Sequence, residues 1–158
     1  MAITLRRFLV VQMLMLWQGG FLFYTSVVVT EGTKLLGATG QGAITARVTD
    51  TMNAIGFVAI AVLALDLSLT HDPNRRRTAC RWWTWGVAVL CLVLLLYFHL
   101  LLDAFMDEGR RRVLVREAFY PVHRMYLWAS TLQWAACALL TWWTLRAWRA
   151  EDGANGSQ

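Results

Sequence analysis

The chain has 158 residues, 58% of them hydrophobic and only 16% charged, with a formal net charge of +5 at pH 7. A soluble domain averages about 45–50% apolar and about 25% charged residues. The excess here lies in four long apolar runs, each long enough for the roughly 20 helical residues that cross a hydrocarbon core, so an ordinary water-soluble domain is excluded.

The basic residues, 14 arginines and one lysine, sit between or at the ends of those runs. That placement points to membrane topology and anionic lipid headgroups, and away from nucleic acid.

The first run covers about residues 8–29 and follows Arg6 and Arg7. A signal-peptide core is about 7–15 residues long and closes on a small-residue cleavage site. This run is longer and has no A-x-A pattern, so it reads as an uncleaved spanning helix. It carries Gln12, Gln18 and the pair Gly19-Gly20. The amides are expected to face protein, and the glycines to admit a neighbour's backbone.

Residues 30–42 hold four glycines and read as a loop. From Ala43 a helical pattern resumes: Ile44, Val48, Met52 and Ile55 fall on one face. The second spanning segment is about 52–69. Its small residues, Ala54, Gly56, Ala59, Ala61 and Ala64, predict a tightly packed, central helix. Asn53 and Asp66 are its polar members. Asp66 falls in the last turn, where the helix dipole disfavours an anion. It therefore calls for a cationic partner from Arg6, Arg7 or the group Arg75 to Arg77. Thr70-His71-Asp72-Pro73 ends the helix.

A short basic loop, residues 70–81, leads to a third span at about 82–103. Residues 104–120 form a second charged loop, of which 110–120 is expected to be a short interfacial helix. The fourth span covers about 122–148. Trp82, Trp83 and Trp85 open the third span, and Trp142, Trp143 and Trp148 close the fourth, as an aromatic belt at one interface. The expected fold is all-α: a four-helix transmembrane bundle of antiparallel up-down topology, residues 1–150, followed by a disordered polar tail, residues 151–158. Cys80, Cys91 and Cys137 have no metal or redox spacing and imply no disulfide framework.

Four spans put both termini on one side. Arg6, Arg7, Arg75, Arg76, Arg77, Arg81, Arg146 and Arg149 share that side. Lys34, Arg47, Arg110, Arg111, Arg112, Arg116 and Arg124 lie on the other. The first helix usually dominates orientation, and its arginines favour cytoplasmic termini, in a bacterial inner membrane.

Chemistry, if present, points to His99, Asp103 and His123. His99 and Asp103 are at i and i+4 and share a helical face. Matching depths at 1.5 Å per residue pairs His123 with Asp103 and leaves His99 level with Tyr126 or Leu127. The stagger disfavours a bis-histidine haem site. A metal site on His99, His123 and Asp103 competes with the plainer reading, in which these groups order the outer end of a helix hairpin. Asn53, Gln12, Gln18, Thr131 and Gln133 read as hydrogen-bonding glue between helices or, together, as the lining of a polar crevice. No nucleophile triad, phosphate loop or zinc signature occurs, which points away from an enzyme.

The run Leu16-Trp17-Gln18-Gly19-Gly20-Phe21, followed by Val27-Val28-Val29, resembles the first helix of an uncharacterised bacterial family of four-helix membrane proteins distantly similar to the copper-resistance protein CopD. In that group a W-x-G-G precedes an aliphatic stretch and a histidine recurs near the start of helix four, where this chain has His123-Arg124. The chain departs from the group at Val10-Val11-Gln12, where a histidine is usual. The resemblance implies the fold. The functional expectation is a non-enzymatic membrane protein that acts by helix packing, or by association with a partner membrane protein or a second copy. The alternatives are a small haem- or copper-binding redox protein and, third, a small-solute transporter.

Overall fold

The computed structural model describes residues 2–107 and 112–155. It is all-α, with four helices: α1, residues 2–36; α2, residues 38–69; α3, Arg75–Ala104; and α4, Arg116–Asn155. Three stretches, Ile3–Gly37, Gly40–Leu69 and Arg75–Ala104, are long and apolar enough to cross a membrane. α4 does not reach that apolarity. It carries Gln133 and five tryptophans, whose amide and indole N–H groups dilute its aliphatic residues.

The predicted loop at 30–42 is corrected. Helix continues through it on both sides of a single break at Gly37, which has φ 71° and ψ 168°. Only glycine adopts that backbone region without strain, because any Cβ would clash. Gly32 serves packing, since a Cβ there would lie 1.8 Å from Gln41 Oε1, whereas Gly42 is a helical glycine facing open space. Gln41 also donates to the Tyr24 hydroxyl at 3.3 Å, and that hydroxyl donates to Thr45 Oγ1 at 2.8 Å. A polar knot thus ties α1 to α2 beside the turn.

The basic loop predicted at 70–81 shrinks to residues 70–74. Asn74 caps α3, its side chain accepting from the Arg77 N–H at 3.1 Å. A capping asparagine satisfies one of the donors that a helix start leaves free. Asp72 accepts from the Asn74 N–H at 2.9 Å and from the Arg77 guanidinium.

The interfacial helix expected at 110–120 is also corrected. Met106–Asp107 pairs antiparallel with Arg112–Val113, and helix begins at Arg116. Arg110 and Arg111 lie outside the described residues. Pro121 sits one turn inside α4, where its missing N–H costs one bond to the Glu117 carbonyl. The tail predicted as disordered from 151 is helical to Asn155, because Glu151 and Asp152 are held by arginines of α1. Residues 156–158 lie outside the described residues.

Packing follows the helical period. α3 buries Arg81, Thr84, Ala88, Cys91, Leu95, Phe98 and Leu102 on one seam. All four helices meet around Trp17, Ala59, Ala88 and Ala136. Toward the chain termini the core is Val10, Leu14, Leu63, Leu67, Leu140 and Trp148. Toward the α3–α4 connection it narrows to Leu95, Phe98 and Ala129. Within the core a close approach is made at Gly56, whose absent Cβ would stand 2.9 Å from the Trp17 ring. The Gly19-Gly20 pair admits less than expected: Met52 Cε would be 3.1 Å from a Cβ on Gly20, and Gly19 faces open space.

Candidate functional site

Polar chemistry concentrates at the two ends of the molecule. At the first, Asp66 of α2 and Arg81 of α3 are 0% and 1% exposed. Arg81 Nη2 donates to Asp66 Oδ2 at 2.8 Å. Arg6 Nε lies 3.1 Å from Asp66 Oδ1, and Trp148 Nε1 donates to the same oxygen at 3.1 Å. An isolated buried carboxylate costs many kcal/mol. Two guanidiniums and an indole from three other helices remove that cost.

The network extends outward. Arg6 and Arg7 donate to Glu151 at 2.8 and 2.9 Å, and the His71 N–H donates to Glu151 at 3.3 Å. Arg7 also holds Asp152 at 2.9 Å and lies over the Trp148 ring at 5.4 Å. Burial pushes the Glu151 carboxyl up, but Arg7, the His71 N–H and Arg6 together bring it below its ordinary range. Asp72 is likewise lowered: burial raises it, and Arg77 and the Asn74 N–H outweigh burial. The Arg7 hydrogen bond holds the Asp152 carboxyl below its ordinary range as well.

The expectation for Asp66 named Arg6, and Arg6 is there. It missed Arg81 and Trp148. Trp148, expected in the interfacial belt, is buried, and Trp85 is half-buried with Nε1 donating to the Ile60 carbonyl at 3.0 Å. Trp82, Trp83 and Trp142 are exposed, as a belt requires. A signal for the Arg81 contact was present: Arg81 opens the buried seam that continues at Thr84 and Ala88, so it points inward.

At the other end, the predicted pairing of His123 with Asp103 is corrected. His99 Nε2 lies 2.7 Å from Asp50 Oδ1 and 3.4 Å from Asp103 Oδ2. Ionised carboxylates only accept, so Nε2 carries the proton. Asp50, which lies off the helical face of Ile44, Val48, Met52 and Ile55, reaches His99 from α2. His123 instead stacks on Phe119, with ring centroids 5.7 Å apart and planes 10° apart. Tyr126 packs against the cluster of Leu95, Phe98 and Ala129.

His99 and His123 are engaged separately, and one His99 nitrogen faces the two carboxylates. Among the described residues no three His, Cys, Asp or Glu side chains group in a metal-holding arrangement. Cys91 and Cys137 are unbridged and buried, and Cys137 packs in the central core.

Between the ends, a cavity of about 20 Å³ lies between α1 and α4, lined by Trp17, Gln18, Gln133 and Trp134. α1 widens into π turns at Met15–Gly19 and Tyr24–Val28, and Trp17 and Gln18 belong to the first. Gln18 Nε2, Trp134 Nε1 and Asn53 Nδ2 are buried without a protein partner among the described residues. Gln133 donates to the Ala88 carbonyl at 3.4 Å, the interhelical role expected of it. Thr131 bonds its own helix at the Leu127 carbonyl. Gln12, expected to face protein, is exposed, because Val10, Leu14 and Trp17 define the inward face of α1 and Gln12 lies off it.

Compared with protein-family models, with curated proteins and with solved structures, the chain matches none.

Proposed function

We propose that this chain is a non-enzymatic integral membrane protein that acts by helix packing and by association with a partner membrane protein or a second copy. The proposed arrangement is four spans in antiparallel up-down order, in a bacterial inner membrane, with both termini cytoplasmic. Supporting the order are the contacts that bring Arg6 and Arg7, the 70–74 turn, and Glu151 and Asp152 to one end. Supporting the orientation are the arginines gathered at that end. The W-x-G-G of α1 supports kinship with the CopD-like family within the same proposal.

The observation that carries association is the double use of small residues on α2. Gly56 and Ala59 are buried against α1 and the core. Ala54, Val58, Ala61, Leu65 and Ser68, at i, i+4, i+7, i+11 and i+14, form a second face that is exposed. In lipid, helices associate through such small-residue faces, since packing replaces the hydrophobic drive. Blue-native mass determination in mild detergent tests this. The expected particle is larger than one chain, and Ala61→Leu with Ala54→Leu reduces it to one. A strictly monomeric wild-type particle with no co-purifying chain removes the reading.

The haem or copper reading ranks below it, because His99 is committed to carboxylates and His123 to Phe119. The absorption spectrum and metal content of purified protein decide it: a Soret band or stoichiometric copper would restore it. Small-solute transport ranks third, with no observation favouring it.

A further inference from the structure

At the end that joins the termini, a groove of about 680 Å³ runs between the start of α1 and the last turns of α4. Its walls are Arg7, Trp142, Leu145, Arg146, Trp148 and Arg149. The charges along it are not equivalent. Arg7 is committed to Glu151 and Asp152, both at 2.9 Å. Arg146 lies 6.0 Å from the centroid of the Trp143 ring. Arg146 and Arg149 are exposed and have no carboxylate partner among the described residues. They stand three residues apart on one helix, so both guanidiniums reach the same groove. Trp142 and Leu145, 58% and 46% exposed, supply its apolar wall and lie deeper along α4, within about two turns of Arg149.

We infer that this groove is a binding site for the phosphodiester headgroup of an anionic glycerophospholipid. The argument is chemical. Free guanidiniums match phosphate oxygens with forked N–H pairs. From Trp142 to Arg149 the helix rises about 10 Å, enough to seat the phosphate at the arginines and the glycerol and first acyl carbons on Trp142 and Leu145. Asp152, the groove's one carboxylate, is already paired with Arg7, so it offers a choline or ethanolamine cation no free anion. That separates an anionic headgroup from a zwitterionic one. The inference rests on the proposed membrane reading, which sets this end of α4 at the bilayer surface.

The test uses the full chain purified in dodecyl maltoside. Native mass spectrometry is run with phosphatidylglycerol and phosphatidylcholine added together. The wild type is expected to retain phosphatidylglycerol over phosphatidylcholine by about tenfold or more, as two surface arginines favour anionic lipid. The double variant Arg146→Gln with Arg149→Gln is expected to bring the two lipids to parity, with its unfolding temperature unchanged. A control, Arg75→Gln with Arg76→Gln, removes two exposed arginines near the same end and should leave the preference intact.

Equal retention of both lipids by the wild type overturns the inference without needing any variant. Loss of preference in the control overturns it too, since the attraction is then diffuse. Displacement of the lipid by millimolar inorganic phosphate would make the site one for free phosphate and overturn the lipid assignment. Carbonate extraction of membranes keeps the two proposals apart. A chain released by carbonate fails the membrane reading. A chain that stays embedded but binds both lipids equally fails only this one.

Discussion

The two ends of the molecule use the same kinds of side chain under different burial. At the terminal end, Asp66 and Arg81 are fully enclosed, and Arg6, Trp148 and Glu151 complete the set around them. At the other end, His99 faces Asp50 and Asp103, whose side chains are 69% and 41% exposed. The core differs in step: α1, α2 and α4 close over the first end, whereas beside His99 the core is α3 and α4 alone. The distances are alike, 2.8 Å for Arg81 to Asp66 and 2.7 Å for His99 to Asp50. What separates them is desolvation. A dry ion pair cannot lose one member without stranding the other, while a wet one returns its charges to solvent.

That contrast is broken most forcefully at Arg81. Arg81→Met strands Asp66 with one cation fewer and should cost about 3–5 kcal/mol, read as a large fall in unfolding temperature in detergent. A loss under about 1 kcal/mol, the scale of an exposed pair, would show that water reaches Asp66 and that the two ends do not differ. Trp148→Phe keeps a single aromatic ring, trims buried volume and removes one donor to Asp66, for an expected loss of about 1–3 kcal/mol. Gly37→Ala tests the opposite turn independently of charge. It forces a Cβ into a positive-φ, extended-ψ region, at about 1–3 kcal/mol. His99→Leu should stay within about 1 kcal/mol, because Asp50 and Asp103 are solvated without it. A loss as large as that of Arg81→Met would make the His99 end the structural lock.

Acid sharpens the comparison from the terminal side. The Glu151 carboxyl sits below its ordinary value of 4.5 and Asp72 below 3.8. A lowered carboxylate contributes stability that is complete above the unfolded value and is lost as pH falls through the folded one. The unfolding temperature should therefore hold down to about pH 4.5 and decline below it. Glu151→Gln should flatten the upper portion of that decline. An unchanged slope in the variant would remove Glu151 from the account.

Much of this was legible in the chain itself, but unevenly. The apolar runs show where α1, α2 and α3 lie, and the need for a cation at Asp66 follows from its place in the last turn of α2. Element ends were read less well. Gly32, Gly37, Gly40 and Gly42 look like a loop in sequence, yet three of them lie within helix and one makes the turn. Glu151 and Asp152 look like a solvated tail until Arg6 and Arg7 arrive from the far end of the chain. The exposed Gln12 and the inward Arg81 both follow from helical phase, which a count of polar residues does not record.

The sequence alone determined the class: hydrophobic runs of spanning length separated by arginine-bearing turns, a consequence of local composition and the 3.6-residue helical period. The tertiary structure decided partnership. Asp66 with Arg81 and Trp148, His99 with Asp50, and Glu151 with Arg6 and Arg7 join positions from 15 to 145 residues apart. Such pairs are selected by which helical faces meet and at what depth, and those depend on a one-residue turn at Gly37 and on how far each helix continues past its apolar core.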